Sequence, residues 1–370
     1  MKKILSIALA LVMVFALVGV AQAAEDVKVA MITDYGDITD QSFNQTTYEA
    51  CKAFCEGKSL DFQYYKPASD SDEDRISSIE KAIDDGYNVI VMPGYAFAPA
   101  IAKTAPEYDD VTFIALDVSE YDLTSAGLTE LPANLYSAVY QEELCGYMAG
   151  YAAVKLGYKK LGFLGGMAVP AVIRYGYGFV QGADAAAAEL GLTDVAVNYA
   201  YGNQFYGDAD ITAAMDTWYA DGTEVVFACG GGIYTSAVDA AKKVDGKVIG
   251  VDVDQAGVIQ AYAEAEDTSM TITSAMKGLA ATVNTELAAV LDGSFEGGKV
   301  ENLGLVSEVP EENYVQLAGS TQFADGFTAE DYAALVVAMF KGEIEVNNDT
   351  TIAAADNATV VTVNDLGNIK

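Results

Sequence analysis

Histidine is absent from this chain, and arginine occurs only at Arg75 and Arg174. Without imidazole there is no Ser-His-Asp or Cys-His nucleophile system, no histidine metal site, and no use of the commonest general base. Carboxylate chemistry survives, since paired Asp or Glu residues can hydrolyse glycosides. Lys and Arg total 20 against 54 Asp and Glu, a formal charge of −34. A phosphate backbone or an anionic membrane surface would be repelled by that charge, so nucleic acid is excluded as a partner. Cysteine is sparse: Cys51 and Cys55 lie one helical turn apart in "CKAFC", while Cys145 and Cys229 stand alone. An exported chain could oxidise them. A bridge within one helix is geometrically awkward, however, so burial as small apolar groups is the expected role.

One long apolar run is present. Lys2 and Lys3 precede "ILSIALALVMVFALVGV", and "AQA" at 21–23 supplies small residues. This is the pattern of a secretory signal peptide cleaved after Ala23; the alternative, an uncleaved anchor, meets the objection that the run is short for a span. The first cysteine after it is Cys51, so no lipid anchor on a mature N-terminal cysteine is expected. The expectation is a periplasmic or extracellular protein of 347 residues, with a charge of −36 once the leader and its two lysines are gone. That length suits two cores better than one.

Strand-like and helix-like stretches alternate along the chain. "VKVAMIT" precedes a helix from about Gln41 to Glu56, and "DFQYYKP" precedes "DEDRISSIEKAIDDG", with Ile76, Ile79 and Ile83 on one face. "NVIVMPG", a helix through "APAIAKTAPEY", and "VTFIALD" follow. A second series begins after Leu131 with a long apolar helix, "NLYSAVYQEELCGYMAGYAAVKLG". Then come "KLGFLGG", a helix from about Ala171 to Leu190, "DVAVNYAYG", the helix "DITAAMDTWYADG", "EVVFACGGG", the helix "TSAVDAAKKVDG" and "KVIGVDVDQ". After Thr268, "MTITSAM" and "GLVSEV" are strand candidates before a polar tail. The repeated rhythm predicts α/β architecture with two doubly wound parallel sheets, with ligand-binding loops at the carboxyl ends of the strands.

Those ends form a chemical set. The first supplies Asp34, Asp40, Ser42, Phe43 and Asn44, the third Pro93 and Gly94, and the fourth Asp117. The second series supplies Gly165 and Gly166, then Gln204, Phe205 and Tyr206, then three glycines, then Asp252, Asp254 and Gln255. Each has a plain structural alternative: an aspartate before a helix caps it, and Phe43 can staple the first helix. Capping is the expected role of Asp40. "CGGG" lacks the Lys-Ser/Thr of a phosphate loop, and "GFLGG" lacks dinucleotide spacing. Carboxylates, two aromatics and few cations suit a neutral ligand with hydroxyls and a flat ring. Carboxylates grip a vicinal diol and aromatic faces stack on a heterocycle, which describes a nucleoside better than a nucleotide.

"ITDYGDITDQSFNQ", "RYGYGFVQG", "DGTEVVFACGGG", "IGVDVDQ" and "TSAMKG" together resemble the basic membrane protein family, purine-nucleoside-binding components of ABC importers, from about Val27 to Ala318. The resemblance implies the type I periplasmic binding protein fold, two doubly wound parallel-sheet lobes joined by a three-segment hinge. Lobe I would comprise 24–131 and 257–303, and lobe II 132–256 and 304–370. It implies that Asp34 and Asp252 bind the ribose diol and Lys277 the ribose, and that Asn44 and Asp117 read the purine edge. Phe43 would be one stacking ring and Phe205 the second, with Tyr206 its rival; Gly230 would lie against the ligand. The implied function is delivery of guanosine, inosine or adenosine, bound in the interlobe cleft, to a permease and its ATPase subunits. The protein is expected to be a monomer that meets the membrane only through the permease, with no cofactor, metal or catalytic residue. Family members are commonly lipoproteins, a point on which this chain departs. Other open readings are a flavin or sugar ligand and, in a different class, a carboxylate-dependent nucleoside hydrolase.

Overall fold

The computed structural model describes residues 27–370, so the leader expected over 1–23 lies outside the described residues. The chain divides into two compact units. The first takes in the described chain up to Tyr35, Thr47–Val139 and Ala280–Glu301; the second takes in Gly36–Thr46, Tyr140–Leu279 and Asn302–Lys370.

The first unit is built on β1 (Lys28–Ile32), β2 (Asp61–Tyr65), β3 (Val89–Pro93), β4 (Thr112–Leu116) and β5 (Leu135–Tyr140), with β11 (Lys299–Leu303) at one edge. Strand order is β11-β5-β4-β3-β1-β2, and the pairs among β1–β5 are parallel. The connecting helices are α1 (Phe43–Lys58), α2 (Asp72–Asp84), α3 (Ala98–Glu107) and α4 (Glu120–Ser125). Helix α2 shows why the pattern was legible: Ser71 caps it by accepting from the Asp74 amide at 3.2 Å, and Asp72, Glu73 and Asp74 complement the amino-terminal dipole. Its Ile79 is buried in the core with Ile90, Met92 and Phe113, and Ile76 and Ile83 pack beside it.

The second unit is built on β6 (Lys160–Gly165), β7 (Ala196–Tyr201), β8 (Val225–Cys229), β9 (Lys247–Asp252), β10 (Thr271–Lys277), β12 (Val315–Leu317) and β13 (Thr362–Asn368). The order is β12-β10-β9-β8-β6-β7-β13; β12 pairs antiparallel to β10, and the other pairs are parallel. Its helices are α5 (Glu142–Lys155), α6 (Pro170–Leu190), α7 (Ala209–Ala220), α8 (Tyr234–Ala241), α9 (Ala256–Ala263) and α11 (Ala329–Phe340), while α10 (Leu279–Asp292) leads back to the first unit. In both sheets the first five strands run 2-1-3-4-5. Each order therefore reverses between its first and third strands, where open α/β sheets bind ligands.

Two element expectations need correction. The long helix expected over residues 134–157 is a strand followed by a helix: Leu135–Tyr140 is β5, and α5 starts at Glu142. Strand β5 lies between β4 and β11 and is almost wholly buried, so it shows no alternation to set it apart from a buried helix. "GLVSEV" is not a strand. The ladder forms just before it, at β11, while the Asn313 side chain accepts from the Val306 and Ser307 amides at 2.7 and 2.9 Å. The polar tail also contains regular structure, α11 and β13. All four cysteines are free and buried.

Candidate functional site

In the second unit, the site begins with two helices in backbone contact. Gly146 and Gly150 of α5 face the carbonyls of Tyr175 and Phe179 of α6, and Gly178 and Gly182 face those of Glu143 and Tyr147. A Cβ at any of these four glycines would overlap the facing backbone. This close approach puts Glu142, fully buried, beside Arg174: Nε donates to Glu142 Oε2 at 2.7 Å.

The other oxygen of Glu142 accepts from Lys277 Nζ at 3.3 Å, and the ammonium lies 3.9 Å from Asp252 Oδ1. Asp252 Oδ2 in turn accepts from the Ser42 hydroxyl at 2.6 Å, and Tyr175 donates to Oδ1 at 3.4 Å. A buried chain of alternating charge therefore runs from Arg174 through Glu142 and Lys277 to Asp252. Burial works against the Glu142 carboxylate, but Arg174 and Lys277 outweigh it and hold the group below its ordinary range. Asp252 goes the other way: burial raises it, against Lys277 and the Ser42 bond. Glu143, behind this chain with its oxygen 3.9 Å from Arg174 Nε, is pushed up to about 7 by burial, with Glu142 adding to the shift.

Aromatic rings surround the ammonium. Lys277 Nζ lies 4.8 Å from the Phe43 ring centroid, 5.4 Å from that of Tyr140 and 5.8 Å from that of Tyr175. Phe43 opens α1, whose start is capped by Asp40: its carboxylate accepts from the amides of Ser42, Asn44 and Gln45 at 2.9 to 3.1 Å. Asp40 is thus the cap expected of it. It also takes the Asn44 amide nitrogen at 3.1 Å, which leaves Asn44 Oδ1 buried and with no hydrogen-bond partner among the described residues.

At the reversal point of the second sheet, Gly166 follows β6 and Gly230 follows β8, joined by the Gly166 amide donating to the Cys229 carbonyl at 2.8 Å. The Phe205 ring covers both. A Cβ on Gly230, which sits at φ +150°, would lie 2.9 Å from Phe205 Cδ1, and one on Gly166 would overlap the ring. Tyr206, by contrast, is 63% exposed.

In the first unit, Asp34 follows β1, is buried, and accepts from the Tyr35 amide at 2.6 Å. It abuts Gly94 after β3, where a Cβ would lie 2.5 Å from Asp34 Oδ2. Asp117 ends β4 in the left-handed region at φ +59°, with its amide donating to Ala138 O at 2.7 Å.

The structure therefore groups Phe43, Asp252 and Lys277 in one cluster and Phe205 with Gly230 in another. Asn44 sits beside Phe43 in sequence, and Asp34 and Asp117 close strands of the first unit. Sequence reasoning missed Glu142, Arg174, Tyr140 and Tyr175 as parts of the site. Their available signal was the small-residue spacing of "CGYMAG" and "YGYGFVQG", which marks two helices meeting at their backbones. Among the described residues there is no cluster of three or more potential metal ligands, and no helix long and apolar enough to cross a membrane.

Two such sheets, each with polar residues at its strand ends, define a type I-like solute-binding fold. Solved structures bear the likeness out. An ABC transporter solute-binding protein from Aeropyrum pernix K1 is 22% identical with a TM-score of 0.66 over 90% of each chain. One from Conexibacter woesei is 23% identical with a TM-score of 0.65, over 87% of this chain and 99% of the other. The particular family follows from residues 27–321: the chain belongs to the Bmp family, described as ABC transporter substrate-binding protein PnrA-like. Its curated relatives include the nucleoside-binding protein BmpA of Lactococcus lactis, 26% identical over 76% of this chain and 79% of the relative. Basic membrane protein A of Borreliella burgdorferi is 28% identical over 75% and 76% respectively.

Proposed function

We propose that this solute-binding protein takes a purine nucleoside and hands it to the permease of an ABC importer, outside the cytoplasm. The carrying observation is the grouping of Asp252, Lys277 and Phe43. In this reading Asp252 supplies a carboxylate that accepts from a ribose diol, Lys277 donates to ribose oxygens, and the Phe43 ring stacks on the base. Asn44 Oδ1, buried without a hydrogen-bond partner among the described residues, supplies an acceptor for the purine edge. A donor from the ligand would remove the cost of burying it unpaired. Phe205 over Gly230 is the second ring, and Asp34 and Asp117 are further ligand residues. The BmpA relative, named for nucleoside binding, supports the ligand class.

The test is to purify the protein from cells, denature it, and identify the released small molecule by mass spectrometry. Guanosine, inosine or adenosine is the expected product. A flavin or a sugar, with no nucleoside, would overturn the proposal.

A further inference from the structure

The family match stops at Thr321, yet the chain beyond it is well built into the second unit. After α11 it runs along α6. Gln181 Nε2 donates to the Asn347 carbonyl at 2.9 Å and its Oε1 accepts from the Asn347 amide at 2.8 Å, while the Tyr177 hydroxyl donates to the Ile352 carbonyl at 2.6 Å. Asp184 then accepts from the amides of Thr359, Val360 and Val361 at 2.6 to 2.9 Å. From there β13 adds itself to the edge of the sheet, parallel to β7. The register shifts between Asp365 and Asn368, around Gly367 at φ +66°, and the strand reaches the end of β7, where the Ile369 amide donates to Tyr201 O at 2.8 Å.

Its last side chain closes on the loop that carries Phe205. Lys370 Nζ donates to Gln204 Oε1 at 2.8 Å and pairs with the Asp208 carboxylate. Gln204 Nε2 donates to the same carboxylate at 3.0 Å and to the Tyr206 carbonyl at 2.8 Å. Asp208 also caps α7 through the Ile211 amide at 3.0 Å. One ammonium thus ties together the residues flanking Phe205 in sequence and anchors them to a helix start. The glycines beneath hold the ring from the other side.

We infer that the segment beyond Thr321 is a strap and that Lys370 is a positioning residue, fixing the loop 202–208 so that the Phe205 ring is held ready for a planar ligand. The ligand part of this inference rests on the proposed nucleoside reading; the loop part does not. A strap of this kind lowers the ordering cost of binding, because the loop is set before the ligand arrives.

The test uses the full chain with Lys370→Ala, Lys370→Arg and Asp208→Asn. Asn still caps a helix well, so Asp208→Asn removes the charge pair without removing the cap. Amide hydrogen exchange on ligand-free protein should show residues 202–208 exchanging faster in Lys370→Ala and Asp208→Asn, with β8 and β9 unchanged and Lys370→Arg restoring protection. Exchange in the loop that is identical in all four proteins would overturn the strap. Guanosine affinity should fall about threefold to tenfold in the first two variants, a fraction of a stacking contribution. The melting temperature should stay within about 3 °C, since exposed ion pairs add little global stability. A faster loop with unchanged affinity would overturn the positioning role. If the unmutated protein takes no nucleoside, the nucleoside reading fails, while loop exchange still decides the strap.

Discussion

Glu142→Gln keeps the shape of a buried side chain and removes the charge that Arg174 and Lys277 share. At an effective dielectric constant of about 20, unit charges 2.7 and 3.3 Å apart attract by roughly 6 and 5 kcal/mol. Desolvation of the three groups offsets most of this, so the native trio adds little over an apolar core. Removing its centre is another matter, because it takes the hydrogen-bonded carboxylate from the Lys277 ammonium, only 3% exposed, and leaves it Asp252 at 3.9 Å; breaking a buried pair costs about 3–5 kcal/mol. Arg174 suffers less: it is 18% exposed and keeps Glu143 at 3.9 Å. Lys277→Met and Glu142→Gln remove two members of one network, so the double mutant should lose less than the sum of the two single losses, by about 1 kcal/mol or more. Urea unfolding followed by the single tryptophan, Trp218, which is buried in the second unit, measures the cycle. The pH dependence is a second check. Glu142 is held below its ordinary value in the folded protein, so its stabilising contribution is present at neutral pH and is lost as pH falls through that lowered value. The gap between the unmutated protein and Glu142→Gln should close below about pH 4. Losses that simply add in the double mutant, or a gap that persists in acid, would refute the reasoning.

Glu143 predicts the opposite pH trend. Its folded value of about 7 lies above that of the unfolded chain, so its burial costs stability increasingly as pH rises from about 4.3 to 7. Glu143→Gln should gain on the unmutated protein by on the order of 1–3 kcal/mol across that window, and melting curves that stay parallel from pH 5 to 8 would contradict this. Gly166→Ala forces a methyl group into the Phe205 ring and should weaken guanosine binding about tenfold, within the range of one lost stacking contact. Unchanged affinity in the folded variant would show that the ring is not a ligand surface.

The alternation of elements was legible because most strands are short and apolar, and many are followed at once by Gly or Asp, as at Gly94, Asp117, Gly166, Gly202, Gly230 and Gly278. Reading failed where burial erased the period. Strand β5 and helix α5 form one apolar stretch, and the boundary is only the non-helical Gln141, at φ −86° and ψ 64°. That error also hid Glu142, which looked like a carboxylate inside a helix rather than a residue just past a strand. Strand β13 was hidden for the opposite reason: it is largely exposed, and backbone pairing to β7 rather than apolar burial makes it a strand. Asp252 was readable as a strand end and Lys277 only through the family resemblance, but their partners come from α5 and α6, far away in sequence. The helix contact that brings those partners in rests on glycines, which carry no chemistry of their own to mark a site.

The central claim is that the second unit's buried Asp252 grips a ribose diol. Titrating guanosine and 2′-deoxyguanosine by calorimetry into the unmutated protein and Asp252→Asn tests it directly. Charge-assisted hydrogen bonds contribute roughly 1.5–3 kcal/mol. Guanosine affinity should therefore fall about tenfold to a hundredfold on mutation, while the deoxynucleoside binds weakly from the start and loses little more. Equal losses for the two ligands, or none for either, would contradict the account.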